Sequence, residues 1–366
     1  MTEKQHVHRW RLLDTGTRRA AENFAMNRAI LEAHQQGEAP HTLRFLGFLP
    51  SALIGFHQDV EQELNIDYIH AQGIDIQRRL TGGGAIYFDE QQIGWELYLN
   101  RQLLGGTDMA SLAARICTTI ATAMQGMGVD AKFRPRNDIE VDGRKVSGTG
   151  GYFDGSSFLY QGTVLVDFDV EEMMHVLRIP IAKISDKAIA DARQRIITFR
   201  EILGDKTPDL DEIKQRLADA VAREFNVSWF SETQLNTVEQ GIYEEALAEI
   251  DSDEWIYQHN RPRTWAPMAE AMFRSQGGLL KSCVILDAQH DRLKQVWLTG
   301  DFFIKPRRLV ADLEAALRNS RISELEQNVQ KFFATTEAEL LMLTTDDFIQ
   351  VIATAIDAAN TRPAND

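Results

Sequence analysis

The spacing of apolar residues predicts helices and strands that alternate along the first half of the chain. Helical spacing recurs over residues 12–36, 65–73 and 107–127, with Gly73 and Gly128 placed as helix stops. Shorter apolar runs bounded by glycine, proline or polar residues predict strands over residues 42–48, 50–56, 74–78, 93–99 and 158–166. The pattern therefore predicts a domain that contains both helices and sheet.

A hairpin is predicted over residues 137–148, where two alternating runs flank the pair Asp142 and Gly143. Asp-Gly between such runs is a strong signal for a tight hairpin turn. The turn places Lys145 just inside the returning strand, where its backbone is held more rigidly than in a loop. The small residues Ser147, Gly148 and Thr149 follow it.

A glycine triplet, Gly82 to Gly84, follows Arg78 and Arg79 at the end of the predicted strand 74–78. Glycine is tolerated where φ is positive or where another group approaches the main chain closely, and arginine contacts phosphate or carboxylate bidentately. A strand rather than a helix is predicted to follow, which counts against a P-loop and against a dinucleotide fingerprint. A tight turn and an anion-contacting loop both remain open for this run alone.

The last third of the chain predicts a separate small domain. A charged, proline-containing passage over residues 251–263 marks the boundary, so the expected domains are residues 1–255 and 263–366. Beyond it the pattern predicts strands over residues 278–286 and 293–298 and helices over residues 307–317, 323–333 and 345–359.

Composition narrows the class of protein. The 366 residues carry a net charge of −15, which disfavours nonspecific nucleic-acid binding, and no run of eighteen apolar residues or signal-peptide pattern predicts a membrane span or export. A cytoplasmic location is expected. Two distant cysteines, Cys117 and Cys283, argue against a disulfide framework or a cysteine-rich zinc site, and both are predicted to be buried packing residues.

Basic residues nevertheless concentrate in the middle third, where they form a local patch that an anionic ligand would need. They are Arg78, Arg79, Arg134, Arg136, Arg144, Lys145, Lys183, Lys187, Arg193, Arg195 and Arg200. Solvated surface charge explains part of this set, because exposed lysine and arginine are common.

Together these motifs resemble those of the lipoate–protein ligases, within the wider biotin and lipoate ligase superfamily. The resemblance rests on Arg78-Arg79 with Thr81 to Tyr87, on Arg136-Asn137-Asp138, on Arg144 to Gly148, and on Tyr160 to Leu165. Lys187, Arg193, Arg195, Ile196, Thr198 and Phe199 are similar to the family's basic loop over the adenylate, and Gly300 to Phe303 to a turn of its accessory domain. The resemblance implies an α+β fold, with a mixed or antiparallel sheet flanked by helices and a small α+β C-terminal domain.

The resemblance also implies a reaction: lipoate or octanoate and ATP form an acyl-adenylate, and a lysine of a lipoyl-domain acceptor protein then displaces AMP. Lys145 is the expected catalytic residue, with Mg²⁺ as cofactor and Asp138 as the candidate ligand for the ion. The expected ATP-binding residues are Arg79, Gly84, Ala85, Ile86, Tyr87, Asn137, Asp138, Lys145 and Lys187. The expected lipoate-binding residues are Gly82, Gly83, Lys145, Ser147, Gly148, Tyr160, Gly162 and Thr163. Neither nucleic acid nor membrane is an expected partner.

The sequence departs from the family pattern at Phe88, where many relatives carry histidine, and at Tyr160-Gln161, which replaces a histidine pair. These departures bear on the acyl group and the acceptor. An octanoyltransferase of the same fold is one alternative; it would use a cysteine thioester, but no cysteine lies beside Asn137-Asp138 and Cys117 falls in a predicted helix. A non-catalytic lipoate-binding protein is the other.

Overall fold

The computed structural model describes residues 8–101, 108–135, 138–178, 193–261 and 266–361. The chain divides into two compact units. The first unit comprises Met1–Ala52, Asp67–Gln77 and Tyr87–Ser252, and the second comprises Leu53–Ile66, Arg78–Ile86 and Asp253–Asp366. The glycine triplet thus belongs to the second unit and Lys145 to the first. The predicted functional domains, residues 1–255 and 263–366, stay a prediction.

The bounds of the elements are as follows. The strands are β1 His8–Arg18, β2 Thr42–Phe48, β3 Ser51–Ile54, β4 Asp75–Arg78, β5 Ile86–Phe88, β6 Gln92–Asn100, β7 Lys132–Arg134, β8 Asp138–Val141, β9 Arg144–Asp154, β10 Ser157–Leu165, β11 Val227–Glu232, β12 Ala269–Ser275, β13 Gly278–Asp287, β14 Arg292–Gly300, β15 Ile304–Lys305, β16 Ser320–Arg321 and β17 Glu339–Leu340. The helices are α1 Ala20–Gln35, α2 Val60–Glu63, α3 Ile66–Gln72, α4 Met109–Gln125, α5 Val170–Val176, α6 Phe199–Leu203, α7 Leu210–Phe225, α8 Thr237–Ile250, α9 Asp253–Tyr257, α10 Leu309–Leu317, α11 Leu325–Thr335 and α12 Thr345–Thr361.

An eight-stranded sheet forms the centre of the first unit, in the order β11-β1-β2-β6-β10-β9-β8-β7. Strand β1 is parallel to both of its neighbours, β2 and β11. The pairs β2–β6, β6–β10, β10–β9, β9–β8 and β8–β7 are antiparallel. The predicted α+β class with a mixed sheet flanked by helices is therefore confirmed.

Helices cover both faces of this sheet because its central strands alternate between two apolar layers. Trp95 and Leu97 of β6 are fully buried in a core shared with α4 and α7. Tyr98, the residue after Leu97, points to the other face and packs with Ile30 and Leu31 of α1. Helix α8 packs beside α1. Period-two alternation in a strand produces this division into two layers.

The first strand, β1, corrects the helix predicted over residues 12–36. The chain is extended over His8–Arg18 and becomes helical only at Ala20. Trp10 and Leu13 are almost fully buried, and β1 pairs with strands that lie far along the chain, His8 with Val227 and Arg11 with Thr42. These distant pairings decide the conformation and have no local sequence signal.

The second unit contains a four-stranded sheet in the order β12-β13-β14-β16, packed against α10 and α12. Strands β13 and β14 confirm the two predicted strands, and α10, α11 and α12 confirm the three predicted helices to within two residues. Strand β12 was not predicted; its sequence is poor in β-branched residues. No helix in the described part of the chain is both long and apolar enough to span a bilayer.

Candidate functional site

The hairpin around Lys145 forms as predicted. Asp142 and Gly143 have φ angles of 51° and 78°, the left-handed values that a two-residue hairpin turn requires. The backbone of Lys145 is also bonded on its other side: its N–H donates to Arg195 O at 2.9 Å, and Ile197 N–H donates to Lys145 O at 2.9 Å. Lys145 is therefore fixed between β8 and residues 195–197.

The ammonium of Lys145 has a defined position. Its Nζ lies 2.8 Å from Asp138 Oδ1, and the two side chains are 38% and 26% exposed. A β-carbon added at Gly148 would lie 2.7 Å from both Cε and Nζ of Lys145. Gly148 thus leaves room for the lysine, whose charge stays accessible to a ligand.

The ammonium lies on the α1 side of the sheet. Gly148 N–H donates to Thr163 Oγ1 at 3.2 Å, so these neighbours on β9 and β10 share that side. Gln161, two residues from Thr163, faces the same way and accepts from Asn27 Nδ2 of α1 at 3.4 Å. Two of the residues predicted to bind lipoate, Gly148 and Thr163, are thereby brought next to Lys145.

Three other predicted lipoate ligands, Ser147, Tyr160 and Gly162, lie on the opposite, α4 side. The Tyr160 hydroxyl is 3.2 Å from Cys117 Sγ and 2.8 Å from Thr149 Oγ1. A β-carbon on Gly162 would overlap the indole ring of Trp95. Ser147 is fully buried, and its hydroxyl has no hydrogen-bond partner within the described residues. Alternation along β9 and β10 separates the two sets, and their joint assignment to lipoate stays a prediction.

Both cysteines are buried, as predicted for packing residues. Cys117 is 0% exposed and Cys283 4%. Burial raises the pKa of the Cys117 thiol, and burial likewise raises the pKa of Cys283. Burial also raises the pKa of the Tyr160 phenol. Each of these groups is therefore held in its protonated form at neutral pH.

The glycine loop in the second unit is braced by the two arginines that precede it. The Arg79 guanidinium donates to the carbonyl oxygens of Leu53 at 2.9 Å and Gly84 at 2.7 Å. Arg78 donates to Phe56 O at 2.6 Å and to Ile256 O at 2.6 Å. Desolvation lowers the pKa of Arg78 to about 9 and that of Arg79 to about 10. Both side chains thus contact main-chain carbonyls; whether Arg79 also contacts nucleotide stays a prediction.

Close packing accounts for two of the three glycines. A β-carbon on Gly82 would overlap the carbonyl oxygen of Phe302, and Gly83 has a φ of 97° with the Phe303 ring beside it. Gly84 differs, because its β-carbon would have Asp301 Cβ as its nearest neighbour at 3.9 Å. Gly84 is therefore the glycine of the triplet that packing does not require.

Strand β5 follows the loop, which confirms that no helix begins there. Ala85 precedes Ile86 and Tyr87; the Tyr87 ring lies 6.3 Å from that of Phe168, and burial raises the pKa of its phenol. Phe88, the departure from the family histidine, packs its ring 4.6 Å from Phe48 and is 2% exposed. Phe88 is thus a buried packing residue of the first unit.

Two predicted ligands, Asn137 and Lys187, lie outside the described residues, as do Arg136 and Lys183. Within the described ranges no group of three or more histidine, cysteine or acidic side chains could hold a metal ion. Asp138, the candidate for Mg²⁺, instead contacts Lys145.

Sequence reasoning missed a buried polar network beside this side of the sheet. Arg44 Nη1 lies 3.0 Å from Glu96 Oε2, and Asn27 Nδ2 donates to Glu96 Oε1 at 2.9 Å. The Tyr98 hydroxyl donates to the same glutamate at 2.6 Å. Arg44 Nη2 also donates to Asn23 Oδ1 at 2.8 Å. The spacing of Asn23 and Asn27, one turn apart within an apolar helix, was the signal available.

Comparison with known proteins identifies a related family. The sequence model of one protein family, the lipoyl protein ligase A/B catalytic domain, matches residues 19–222 of this chain. The octanoyltransferase LipM of Kyrpidia tusciae is 26% identical over 273 residues, covering 68% of this chain and 98% of that protein. Lipoate–protein ligase 1 of Staphylococcus aureus is 27% identical over 298 residues, covering 81% of this chain and 85% of the relative. One of these two relatives is thus named an octanoyltransferase and the other a lipoate–protein ligase.

A solved structure is similar over nearly the full chain. The crystal structure of Plasmodium falciparum LipL1 in complex with lipoate has a TM-score of 0.73 and 18% sequence identity, and the match covers 94% of this chain and 98% of that one. At this identity the likeness concerns the fold alone. It confirms the predicted α+β fold with a mixed sheet and a small C-terminal sheet region.

Proposed function

Since the chain belongs to the lipoyl protein ligase A/B catalytic domain family, we propose that it is an ATP-dependent lipoate–protein ligase. In the first step a carboxylate oxygen of lipoate or octanoate attacks the α-phosphorus of ATP, and the bond to pyrophosphate breaks. In the second step a lysine amine of a lipoyl-domain acceptor attacks the acyl carbon, and AMP leaves as the amide forms.

The observation that carries the proposal is the fixed ammonium of Lys145. A carboxylate and a phosphate repel each other, so a cation held between them stabilises the charge that develops as they react. The Lys145 backbone is bonded on both sides, and its Nζ rests over Gly148 within 2.8 Å of Asp138 Oδ1. An ammonium held in this way needs little reorganisation to contact both anions.

The remaining roles follow from the resemblance, residue by residue. Arg79, Gly84, Ala85, Ile86, Tyr87, Asn137, Asp138, Lys145 and Lys187 would hold the nucleotide. Gly82, Gly83, Lys145, Ser147, Gly148, Tyr160, Gly162 and Thr163 would hold the acyl group. Mg²⁺ commonly uses one or two carboxylates together with substrate phosphates, and Asp138 would have to exchange its contact with Lys145 to serve as such a ligand. When bound, the ion would supply charge neutralisation to the departing pyrophosphate.

Octanoyl transfer is the second candidate, favoured by the name of the relative from Kyrpidia tusciae. That reaction needs a reactive thiolate, which requires an exposed cysteine of low pKa. In this chain Cys117 and Cys283 are buried and burial raises the pKa of each thiol. The sequence contains no other cysteine. The burial of both cysteines therefore favours the ligase over the transferase.

The test is an acylation assay read by the intact mass of the acceptor. Purified protein is incubated with lipoate or octanoate, ATP, Mg²⁺ and a panel of lipoyl domains, and in parallel with an octanoyl-carrier thioester without ATP. We expect a mass gain on an acceptor only in the presence of ATP and free acid. Modification from the thioester without ATP would instead establish the transferase, and absence of both reactions across the panel would overturn the proposal.

A further inference from the structure

Strand β12 (Ala269–Ser275) is an edge of the four-stranded sheet in the second unit. It pairs antiparallel with β13 along its whole length and stands last in the order of the described strands. An edge strand presents a row of backbone N–H and C=O groups that another strand can pair with. Such an edge is a binding surface unless its sequence prevents pairing.

The side chains of β12 divide into two alternating sets. Ala269, Ala271 and Phe273 pack on the core of the second unit. Glu270, Met272 and Arg274 are exposed, and Met272, at 69%, is the most exposed of the large apolar side chains in the described residues. The exposed set therefore reads acidic, apolar, basic along the strand.

This order is complementary to itself when reversed. We infer that a second copy of this chain pairs with β12 antiparallel, about a two-fold axis at Met272. In that register Glu270 lies opposite the partner's Arg274, Arg274 lies opposite the partner's Glu270, and Met272 lies opposite the partner's Met272. A two-fold contact of this kind makes each charge pair twice and joins the two sheets into one of eight strands.

Other registers of the same two strands are less favourable. A shift of two residues in either direction removes both charge pairs from opposition. A shift of four places Glu270 opposite the partner's Glu270, or Arg274 opposite the partner's Arg274, and like charges directly opposite are destabilising. The sequence of β12 thus selects the register centred on Met272.

Both charged groups keep capacity for a partner. Glu270 is in contact with Arg261 but its side chain is 53% exposed. Arg274 Nη1 lies 3.4 Å from Asp301 Oδ2, and its side chain is 67% exposed. A guanidinium has five N–H donors and a carboxylate about four acceptor positions, so one internal contact leaves several unused.

The test is sedimentation velocity of the full chain over a concentration series, with charge reversals on β12. We expect a reversible dimer in the wild type. Glu270→Arg and Arg274→Glu each place two like-charge pairs in opposition, which should weaken the dimer about tenfold or more. The double variant with both reversals restores opposite charges and should recover dimerisation.

The matched control is Glu326→Arg, an equal charge change at an exposed position of α11, which should leave the dimer unchanged. Recovery in the double variant separates the pairing from any fault in folding, which circular dichroism checks for each protein. A wild type that stays monomeric throughout the series overturns the inference. So does a dimer that both single reversals leave intact, or one that the double variant fails to restore.

Discussion

Lys145 and Gly148 are fitted to each other on β9: the lysine Nζ occupies the space where a side chain at Gly148 would begin, with 2.7 Å between Nζ and that β-carbon position. The glycine therefore determines where the ammonium rests. The neighbouring Asp138 carboxylate, 2.8 Å away, fixes it from the other strand of the hairpin. A family motif in which a glycine follows the lysine by three residues thus has a steric reason in this chain.

Gly148→Val should displace the Lys145 ammonium while leaving the sheet intact. Position 148 lies on an extended strand with no positive φ, so a valine is compatible with its backbone. We expect acyl-adenylate formation, followed as pyrophosphate release, to fall by about a hundredfold, since misplacement of a catalytic group by about 1 Å has effects of that order. Gly241→Ala, on a helix with open space around it, is the control. Wild-type pyrophosphate release by Gly148→Val would show that the resting position of Lys145 is irrelevant.

Lys145→Ala should slow adenylate formation by about a hundredfold to a thousandfold without unfolding the protein. The side chain is 38% exposed and packs in no core, so its removal should change the melting temperature little. Loss of a preorganised charge at a reacting phosphate costs about two to three orders of magnitude in rate. Lys132→Ala, which removes a lysine that is 72% exposed and pairs with Asp130, is the matched control. A normal yield of adenylate from Lys145→Ala would remove this residue from the mechanism.

Cys117→Ser separates the ligase from the transferase. A serine hydroxyl can keep the contacts that the thiol makes with Tyr160 at 3.2 Å and Thr149 at 3.5 Å, so the fold should tolerate the change. We expect ATP-dependent acylation within a few-fold of the wild type, because no covalent enzyme intermediate is needed. Acyl transfer from an octanoyl thioester that is present in the wild type and lost in Cys117→Ser would assign the thiol as nucleophile.

Local signals predicted the parts of the structure that depend on residues adjacent in the sequence. The turn at Asp142 and Gly143 and the helix stop at Gly73 formed as predicted, because their φ angles of 51°, 78° and 67° are local requirements. Strand β1 was wrongly taken for helix, since its partners in β11 lie more than two hundred residues away. Turns and helix ends can thus be predicted well from the sequence, whereas the pairing of distant strands cannot.

The same limit applies to the candidate site. The place of Lys145 on a strand was predicted, but the reason for Gly82 was not, because the atom it must avoid belongs to Phe302. Burial of Arg78 and Arg79 among main-chain carbonyls was also beyond reach, since charged residues are ordinarily exposed. The resemblance had also grouped Tyr160 and Thr163 around one ligand. In the structure they lie on opposite faces of the sheet, because side chains alternate along β10.

Gly82→Ala and Gly84→Ala should behave differently. A β-carbon at Gly82 would overlap Phe302 O, a backbone atom that cannot move away cheaply, so we expect a loss of about 1–3 kcal/mol in stability. At Gly84 the nearest atom is 3.9 Å away, so the alanine variant should melt like the wild type. If Gly84 contacts nucleotide as proposed, that variant should still show weaker ATP binding by calorimetry. Equal melting temperatures for the two variants would contradict the packing account of the triplet.

Glu314 in α10 should make stability depend on pH. Burial raises the pKa of Glu314 to about 7 from its ordinary 4.5, although the Leu298 N–H donates to its carboxylate at 2.6 Å. The folded state therefore holds this proton more tightly than the unfolded state. The resulting stability is complete below pH 4.5 and is lost as pH rises through about 7, where burying the charged form costs up to about 3 kcal/mol.

Glu314→Gln removes the titration and keeps an acceptor for the Leu298 N–H. Thermal unfolding should therefore show the variant about 3 kcal/mol more stable than the wild type at pH 8 but only about 1 kcal/mol more stable at pH 5. The difference between the two proteins cancels every other titrating group. Glu326→Gln, which neutralises an exposed carboxylate on α11, should show no such change between the two pH values. If the stability gained by Glu314→Gln is the same at pH 5 and pH 8, the side chain does not titrate between them, and its burial carries no charge penalty at neutral pH.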